Sequence, residues 1–185
     1  MGKSILITGG ARSGKSKYAQ ELAGKLDNKV LFVATAEALD EEMSVRITEH
    51  RKTRPLEWQT LEATCDIGNQ IRKNISGANV VIIDCITLLL NNIFSIEYRN
   101  NEVQASVIVA KINNETINLR NQIFEIPAIF IIVTNEVGSG IVPDNGMARL
   151  YRDLLGKTNQ LLAEQAEEVF LMVAGIPLKI KPTCL

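Results

Sequence analysis

A glycine-rich loop, placed directly after a short apolar run near the N-terminus, constrains this 185-residue chain more than any other feature. Its spacing is Gly9, four residues, Gly14, Lys15 and Ser16, which is the P-loop pattern. Glycines let the backbone curl so that its N–H groups point at phosphate oxygens. Between residues 18 and 26, apolar residues recur at intervals of three and four, which predicts an amphipathic helix. Strand, loop and helix therefore follow one another in the order that a triphosphate site requires.

Each residue type in this loop suits a nucleoside triphosphate with magnesium. Lys15 supplies a cation for the β- and γ-phosphates, and the Ser16 hydroxyl can ligate Mg²⁺. The start of the following helix adds free N–H groups and a favourable dipole. A glycine-rich turn without a ligand is the alternative, and the strand–loop–helix order argues against it. We predict that the whole loop binds nucleotide: Gly9, Gly10, Ala11, Arg12, Ser13, Gly14, Lys15 and Ser16.

Strand-like apolar runs alternate with longer segments of helical spacing. The runs cover residues 5–8, 30–34, 80–84, 128–134 and 169–173, and the helical segments cover residues 40–52, 103–124 and 147–166. Continuous apolar runs are typical of strands buried on both faces of a parallel sheet. The chain length suits one domain over residues 1–185. We predict an α/β fold with a mostly parallel central sheet and helices on both faces, with residues 175–181 as an edge strand because of Pro177.

Ligands of such sheets bind at the carboxyl ends of the strands. That rule selects residues 9–16, 35–37, 135–140 and Asp84, which ends the run Val-Val-Ile-Ile. A P-loop protein places its second magnesium-organising acid at such a position, and a helix cap is the alternative. Because a P-loop is present, we predict that Ser16 and Asp84 hold Mg²⁺.

His50 is the only histidine and is surrounded by cations. A helix over residues 40–52 would place Arg46 and His50 on one face. The cations Arg46, Arg51, Lys52 and Arg54 suit a triphosphate, and they would lower the imidazole pKa so that it stays neutral and nucleophilic. A packed structural histidine is the alternative. From these residues alone the function is that of a P-loop enzyme, such as a small-molecule kinase, or of a nucleotide-switched regulatory ATPase.

Composition excludes several other classes. The net charge of −1 and the pI of about 5.9 give no case for nucleic acid as a partner. Three separated cysteines without a Cys-x-x-Cys pair argue against a disulfide framework or a zinc site, and favour the cytoplasm. No apolar run approaches the about 18–20 residues that span a membrane.

Several motifs occur in a fixed order along the chain. The P-loop is followed by Ala34-Thr35, by Arg46-Ile47 with His50, by Arg54-Pro55, by Trp58 with Thr60 and Glu62, and by Asp84-Cys85-Ile86-Thr87. The block Asn-Glu-Val-Gly-Ser-Gly-Ile-Val-Pro at residues 135–143 is the most specific, and residues 149–160 and 173–178 complete the set. Together they resemble the bifunctional adenosylcobinamide kinase/adenosylcobinamide-phosphate guanylyltransferase family of cobalamin biosynthesis.

The resemblance implies a RecA-like P-loop fold and two reactions. ATP or GTP phosphorylates the aminopropanol hydroxyl of adenosylcobinamide. GTP then transfers GMP to adenosylcobinamide phosphate through a covalent histidine–GMP intermediate, which releases pyrophosphate and gives adenosylcobinamide-GDP. His50 matches the histidine of the family motif, so His50 and Lys15 are the expected catalytic residues, with Mg²⁺ as cofactor.

The resemblance also extends the nucleotide site and implies a homotrimer. The further residues expected there are Thr35, Ala36, Glu37, Arg51, Lys52, Thr53, Arg54, Glu62 and Asp84. Residues 95–101 are interpreted as a polar and irregular segment, and they match the family poorly. No residue pattern marks the corrinoid site.

Overall fold

The computed structural model describes residues 2–37, 41–52, 54–99 and 104–181. Seven strands and six helices lie in that part of the chain. In chain order they are β1 (Lys3–Gly9), α1 (Lys15–Leu26), β2 (Val30–Ala34), α2 (Glu41–Lys52), β3 (Gln59–Glu62), α3 (Ile67–Asn74), β4 (Val80–Asp84), α4 (Ile86–Arg99), α5 (Ala105–Glu125), β5 (Ile129–Val133), α6 (Gly146–Gln165), β6 (Glu168–Val173) and β7 (Ile176–Lys181).

One sheet contains all seven strands in the order β3-β2-β4-β5-β1-β6-β7. Every neighbouring pair is parallel except β6 and β7, which pair antiparallel. The predicted mostly parallel sheet is therefore confirmed. Strand β7 lies at the edge, as Pro177 indicates, and Pro177 is opposite Met172. The carboxyl ends of β1, β2, β4 and β5 meet at one edge of the sheet. At this edge the P-loop continues from β1, and Asp84 is the last residue of β4.

Two apolar layers cover the sheet. On one face, Leu31 and Ile83 pack in the same cluster as residues of α3, α4, α5 and α6; on the other, Phe32 and Ile82 pack with Ala19 of α1. Alternate residues of one strand thus face different helices, and Val80, Val81, Ile82 and Ile83 are all fully buried. Because helices cover both faces of the sheet, the sequences of the central strands are continuous runs of apolar residues. None of the described helices is long and apolar enough to cross a membrane.

Three elements are absent from the sequence predictions. Strand β3 has no apolar run, since it lies at an edge and three of its four residues are exposed. Helix α3 has only eight residues. Helix α4 extends to Arg99, so the expectation of irregular structure is wrong for residues 95–99; residues 100–103 lie outside the described residues. Glu97 obscures the helical pattern there, because it is buried and its carboxylate pairs with Lys111 of α5.

The helices predicted over residues 40–52, 103–124 and 147–166 have ends that are correct to within one or two residues where the structure describes them. Helix α1 begins at Lys15, three residues before the pattern that predicted it. Helix α6 starts at Gly146 because Asn145 caps it, accepting a hydrogen bond of 2.7 Å from the Met147 N–H. Helix α5 begins at Ala105, and Val103 lies outside the described residues. Helix α2 begins at Glu41, and Asp40 also lies outside them.

The substitution Gly9→Ala should destabilise the protein. Gly9 has φ of +147°, and an added Cβ would lie 2.5 Å from the Met172 carbonyl oxygen of β6. We expect the free energy of unfolding in urea to fall by about 2 kcal/mol or more. Gly10→Ala is the matched control, because a Cβ at Gly10 meets nothing within 4 Å. Equal losses in the two variants would contradict the steric explanation.

Candidate active site

The P-loop encloses the ammonium group of Lys15. Lys15 Nζ donates a hydrogen bond of 2.6 Å to the Gly10 carbonyl oxygen and lies 3.5 Å from Ser13 Oγ. Only 7% of Lys15 is exposed, and this burial lowers its pKa, although Cys85 and Asp84 oppose the shift. The cation is thus held inside the loop, where the phosphates of a nucleotide would replace its contact with Gly10.

The loop is fastened on two sides. The Glu136 N–H donates to the Gly9 carbonyl oxygen at 3.1 Å, and the Gly175 N–H donates to the Ser13 carbonyl oxygen at 3.0 Å. Gly14 has φ of +94°, and a Cβ there would approach the Gly175 Cα to 3.2 Å. The segment after β5 and the turn between β6 and β7 therefore hold the P-loop conformation. Both hydrogen bonds are made by backbone atoms, so they could not be predicted from the residue types.

Two hard oxygen ligands converge beneath the loop. Ser16 Oγ at the start of α1 donates a hydrogen bond of 3.2 Å to Asp84 Oδ1 at the end of β4. A hydroxyl and one carboxylate suit Mg²⁺, which usually keeps several waters and binds substrate phosphates. In the described part of the chain, no group of three or more His, Cys, Asp or Glu residues could hold a metal ion. The Ser16–Asp84 pair therefore fits a magnesium ion that is held mainly through the nucleotide.

Thr35 ties the end of β2 to the end of β4. It is fully buried, and its hydroxyl donates to the Cys85 carbonyl oxygen at 2.8 Å. The Thr35 Oγ1 atom also accepts a hydrogen bond of 2.7 Å from the Cys85 N–H. The Asn92 side chain donates to the Thr35 carbonyl oxygen at 2.8 Å. This network holds the chain beside Asp84. Since Thr35 is committed to it, Ala36 and the exposed Glu37 are the residues of this segment that a nucleotide could reach.

Arg54 has unused hydrogen-bond donors beside this site. Its guanidinium lies 3.7 Å from the centre of the Phe32 ring, and its Nε and Nη1 atoms are buried without a hydrogen-bond partner in the described residues. Burial lowers the pKa of Arg54, and the Asp84 carboxylate opposes the shift. Buried donors without partners are costly, so this geometry favours an anionic ligand.

Arg54 lines a cleft of about 460 Å³ that we call the arginine cleft. Its lining residues are Arg51, Arg54, Pro55, Leu56, Thr60 and Glu62. Arg51 forms an ion pair with Glu62. The predicted residues Arg51, Arg54 and Glu62 are thus brought together, close to Asp84. Lys52 is exposed at the end of α2.

Two predicted residues cannot be placed in full. His50 belongs to the last turn of α2, and its side chain lies outside the described residues. Thr53 lies outside the described residues altogether. The role of His50 therefore stays a prediction. The next residue in the chain, Arg51, lines the arginine cleft.

A second network holds the 135–143 block beside the P-loop, and sequence reasoning did not assign it. The Asn135 N–H donates to Thr87 Oγ1 at 2.8 Å, and the Asn159 side chain donates to the Asn135 carbonyl oxygen at 3.0 Å. Tyr151 Oη donates to the Thr87 carbonyl oxygen at 2.8 Å, and burial raises the Tyr151 pKa. Tyr151 and Asn159 are eight residues apart on α6, which places them on one helix face and is the signal that could have found them.

Two solved structures share the fold of this chain. The RadB recombinase matches with a TM-score of 0.52 and 16% identity, covering 91% of this chain and 73% of that one. A prototypical ATPase of the type III secretion system of pathogenic bacteria matches with a TM-score of 0.57 and 13% identity, covering 92% and 51%. With the P-loop geometry, these likenesses place the fold among RecA-like P-loop NTPases and confirm the predicted fold class.

The chain belongs to the cobinamide kinase / cobinamide phosphate guanyltransferase family, whose model matches residues 5–180. The bifunctional adenosylcobalamin biosynthesis protein CobU of Escherichia coli (strain K12) is 41% identical over 180 residues, which cover 96% of this chain and 99% of that protein. The bifunctional adenosylcobalamin biosynthesis protein CobP of Pseudomonas aeruginosa is 37% identical over 176 residues, covering 95% and 96%. The predicted family and the predicted class of enzyme, a transferase, are confirmed.

Proposed function

We propose that this protein phosphorylates adenosylcobinamide with ATP or GTP and then transfers GMP from GTP to the resulting phosphate. The observation that carries the proposal is the buried Lys15 beside the Ser16–Asp84 pair, in a chain of this family. The unused donors of Arg54 beside the same pair add a second anion-binding element.

In the first reaction, the acceptor hydroxyl oxygen attacks the γ-phosphorus. The bond between the γ-phosphorus and the β–γ bridging oxygen breaks, ADP or GDP leaves, and the hydroxyl proton is released. Lys15 and the N–H groups at the start of α1 stabilise the charge on the β- and γ-phosphates. Ser16 and Asp84 would hold Mg²⁺, which neutralises charge on the phosphate oxygens when it is bound.

In the second reaction, an imidazole nitrogen of His50 attacks the α-phosphorus of GTP. Pyrophosphate leaves and a phosphoramidate forms, which an oxygen of adenosylcobinamide phosphate then attacks to give adenosylcobinamide-GDP and free His50. Arg54 is suited to stabilise charge at the α-phosphate, and the rest of the arginine cleft to hold the guanosine. We also expect a homotrimer in the cytoplasm, and sedimentation would test its size.

Labelled GTP tests the two reactions together. We expect the γ-label to appear in adenosylcobinamide phosphate and to be carried on into adenosylcobinamide-GDP. Of these two products, only adenosylcobinamide-GDP should carry the α-label. Omitting adenosylcobinamide should stop the formation of both products. A protein that transfers only the γ-label would instead be a monofunctional kinase, and one that transfers neither would have another function.

The substitution Asp84→Asn should slow both reactions. It keeps the shape of the side chain but removes the charge that would hold Mg²⁺ with Ser16. We expect turnover to fall about 100-fold, with a higher Mg²⁺ concentration needed for half-maximal rate. Asp153→Asn is the control, because Asp153 is an exposed carboxylate that pairs with Arg152 on α6. An unchanged Mg²⁺ dependence would remove Asp84 from the metal site.

A further inference from the structure

A second cleft of about 460 Å³ borders the P-loop, and its walls outside the loop have no role in the proposal above. We call it the hairpin cleft, because residues 171–174 of the β6–β7 hairpin form one wall. Residues 10–13 of the P-loop form the second wall, and Glu136 and Ser139 form the third. It shares none of its lining residues with the arginine cleft, so the two clefts are separate.

All three walls are fixed to one another. The Gly175 N–H joins the hairpin turn to Ser13, and the Glu136 N–H joins the segment after β5 to Gly9. The Glu136 carboxylate accepts a hydrogen bond of 2.6 Å from the Gly138 N–H. The cleft is therefore held in place from both sides, as a preformed binding site would be.

Arg12 supplies a cation to this cleft. It lies in the P-loop with φ of +55°, a conformation that costs energy for a residue other than glycine and often marks a functional site. Its side chain is exposed and has no hydrogen-bond or ion-pair partner among the described residues. A cation at the rim of a phosphate-transfer site is suited to a second anion.

An apolar surface extends from the cleft along the hairpin. Leu171 pairs with Leu178 and Val173 pairs with Ile176 across β6 and β7, and paired residues lie on the same face of the sheet. Val173, Ile176 and Leu178 are each more than half exposed. Exposed apolar side chains grouped beside a polar cleft suit a ligand with an apolar body and a charged end.

We infer that the hairpin cleft binds the acceptor substrate, with Arg12 against the phosphate of adenosylcobinamide phosphate and the apolar hairpin face against the corrin ring. The inference rests on the proposed function, which assigns the arginine cleft to GTP and leaves the acceptor without a site. A corrin ring presents an apolar conjugated ring and methyl groups among its amide side chains, and the acceptor carries a phosphate only in the second reaction. The two parts of the cleft therefore match the two parts of that substrate.

The substitution Arg12→Gln tests the charged part. The variant is first converted to its GMP form with excess GTP and purified, so that any effect on GTP binding is removed from the measurement. We expect the concentration of adenosylcobinamide phosphate for half-maximal transfer to rise about tenfold or more. The KM for adenosylcobinamide in the kinase reaction should rise by a clearly smaller factor, because that acceptor has no phosphate.

Arg12→Lys keeps the positive charge and should recover part of the lost affinity for adenosylcobinamide phosphate. The control Lys25→Gln removes an exposed cation at the far end of α1 and should leave the half-saturating concentrations of both acceptors unchanged. Equal changes for the two acceptors, or no change for either, would overturn the assignment of Arg12. A wild-type protein that never forms the GMP enzyme would instead refute the proposed function.

The substitution Val173→Ser tests the apolar part. We expect the half-saturating concentrations of both acceptors to rise by a similar factor, about fivefold to tenfold. Ile117→Ser is the matched control, because Ile117 is 53% exposed on α5 and Val173 is 56% exposed. Leu178→Ser is a second variant on the same hairpin face, in case Val173→Ser does not fold. Unchanged values for both acceptors in a folded variant would overturn the placement of the corrin ring.

Discussion

We expect the variant His50→Ala to phosphorylate adenosylcobinamide but to transfer no GMP. Its substitution removes the nucleophile of the second reaction, whereas attack on the γ-phosphorus depends on Lys15 and the Ser16–Asp84 pair. We expect GMP transfer to fall by about 10⁴-fold or more, the scale on which loss of a nucleophile acts in covalent enzymes. The kinase reaction should stay within about threefold of wild type, since attack on the γ-phosphorus does not use His50 as the nucleophile. Rates of both reactions, measured on the same preparation, give the comparison.

Glu49→Ala is the control for this prediction. Glu49 is the exposed neighbour of His50 on α2, so its loss perturbs the same helix without removing the nucleophile. Both activities of this control should survive. If His50→Ala loses the two activities equally while it stays folded, the separate role of His50 in GMP transfer is wrong.

Lys15→Ala is expected to depress both reactions. The ammonium group lies inside the P-loop, and each reaction requires the triphosphate to be held there while charge develops on its phosphate oxygens. We expect each rate to fall by about 10²-fold to 10³-fold, as when one preorganised charge-stabilising donor is removed. Steady-state kinase rates and the rate of GMP attachment to the protein are the two measurements.

Lys17→Ala is the matched control, because Lys17 is 84% exposed on the same helix and pairs only weakly with Glu21 at 3.8 Å. The ligand-free Lys15→Ala protein should unfold at the same temperature as wild type or higher, since it no longer buries an ammonium group whose pKa burial lowers. If only one of the two reactions falls, they use different triphosphate sites, which would contradict the single P-loop site.

The sheet and the P-loop could be predicted because each rests on a local pattern. Strand β4 reads as a continuous apolar run because helices cover both of its faces, and Asp84 ends it at the ligand edge. The spacing from Gly9 to Ser16 by itself predicts a phosphate-binding loop. In the structure, Ser16 Oγ lies 3.2 Å from Asp84 Oδ1. In both cases, neighbouring residues in the chain contain the information.

The parts that sequence reasoning missed depend on contacts between distant segments. Thr35 reads as a polar residue at a strand end, yet its hydroxyl is bound to Cys85 and its carbonyl oxygen to Asn92. The walls of the hairpin cleft are joined by hydrogen bonds from the backbone N–H groups of Glu136 and Gly175 to the P-loop. Backbone contacts of this kind cannot be predicted from the residue types. His50 is the opposite case: the family motif assigns it, and its side chain lies outside the described residues.

The covalent attachment of GMP to His50 is the central claim, and trapping it is the most direct test. The wild-type protein is incubated with Mg²⁺ and α-labelled GTP in the absence of acceptor, denatured, and digested for peptide mapping. The predicted result is a label that is lost in acid, survives base, lies on the peptide containing His50 and leaves that peptide when adenosylcobinamide phosphate is added before denaturation. A denatured protein that carries no label, or a label on another residue, would contradict the account.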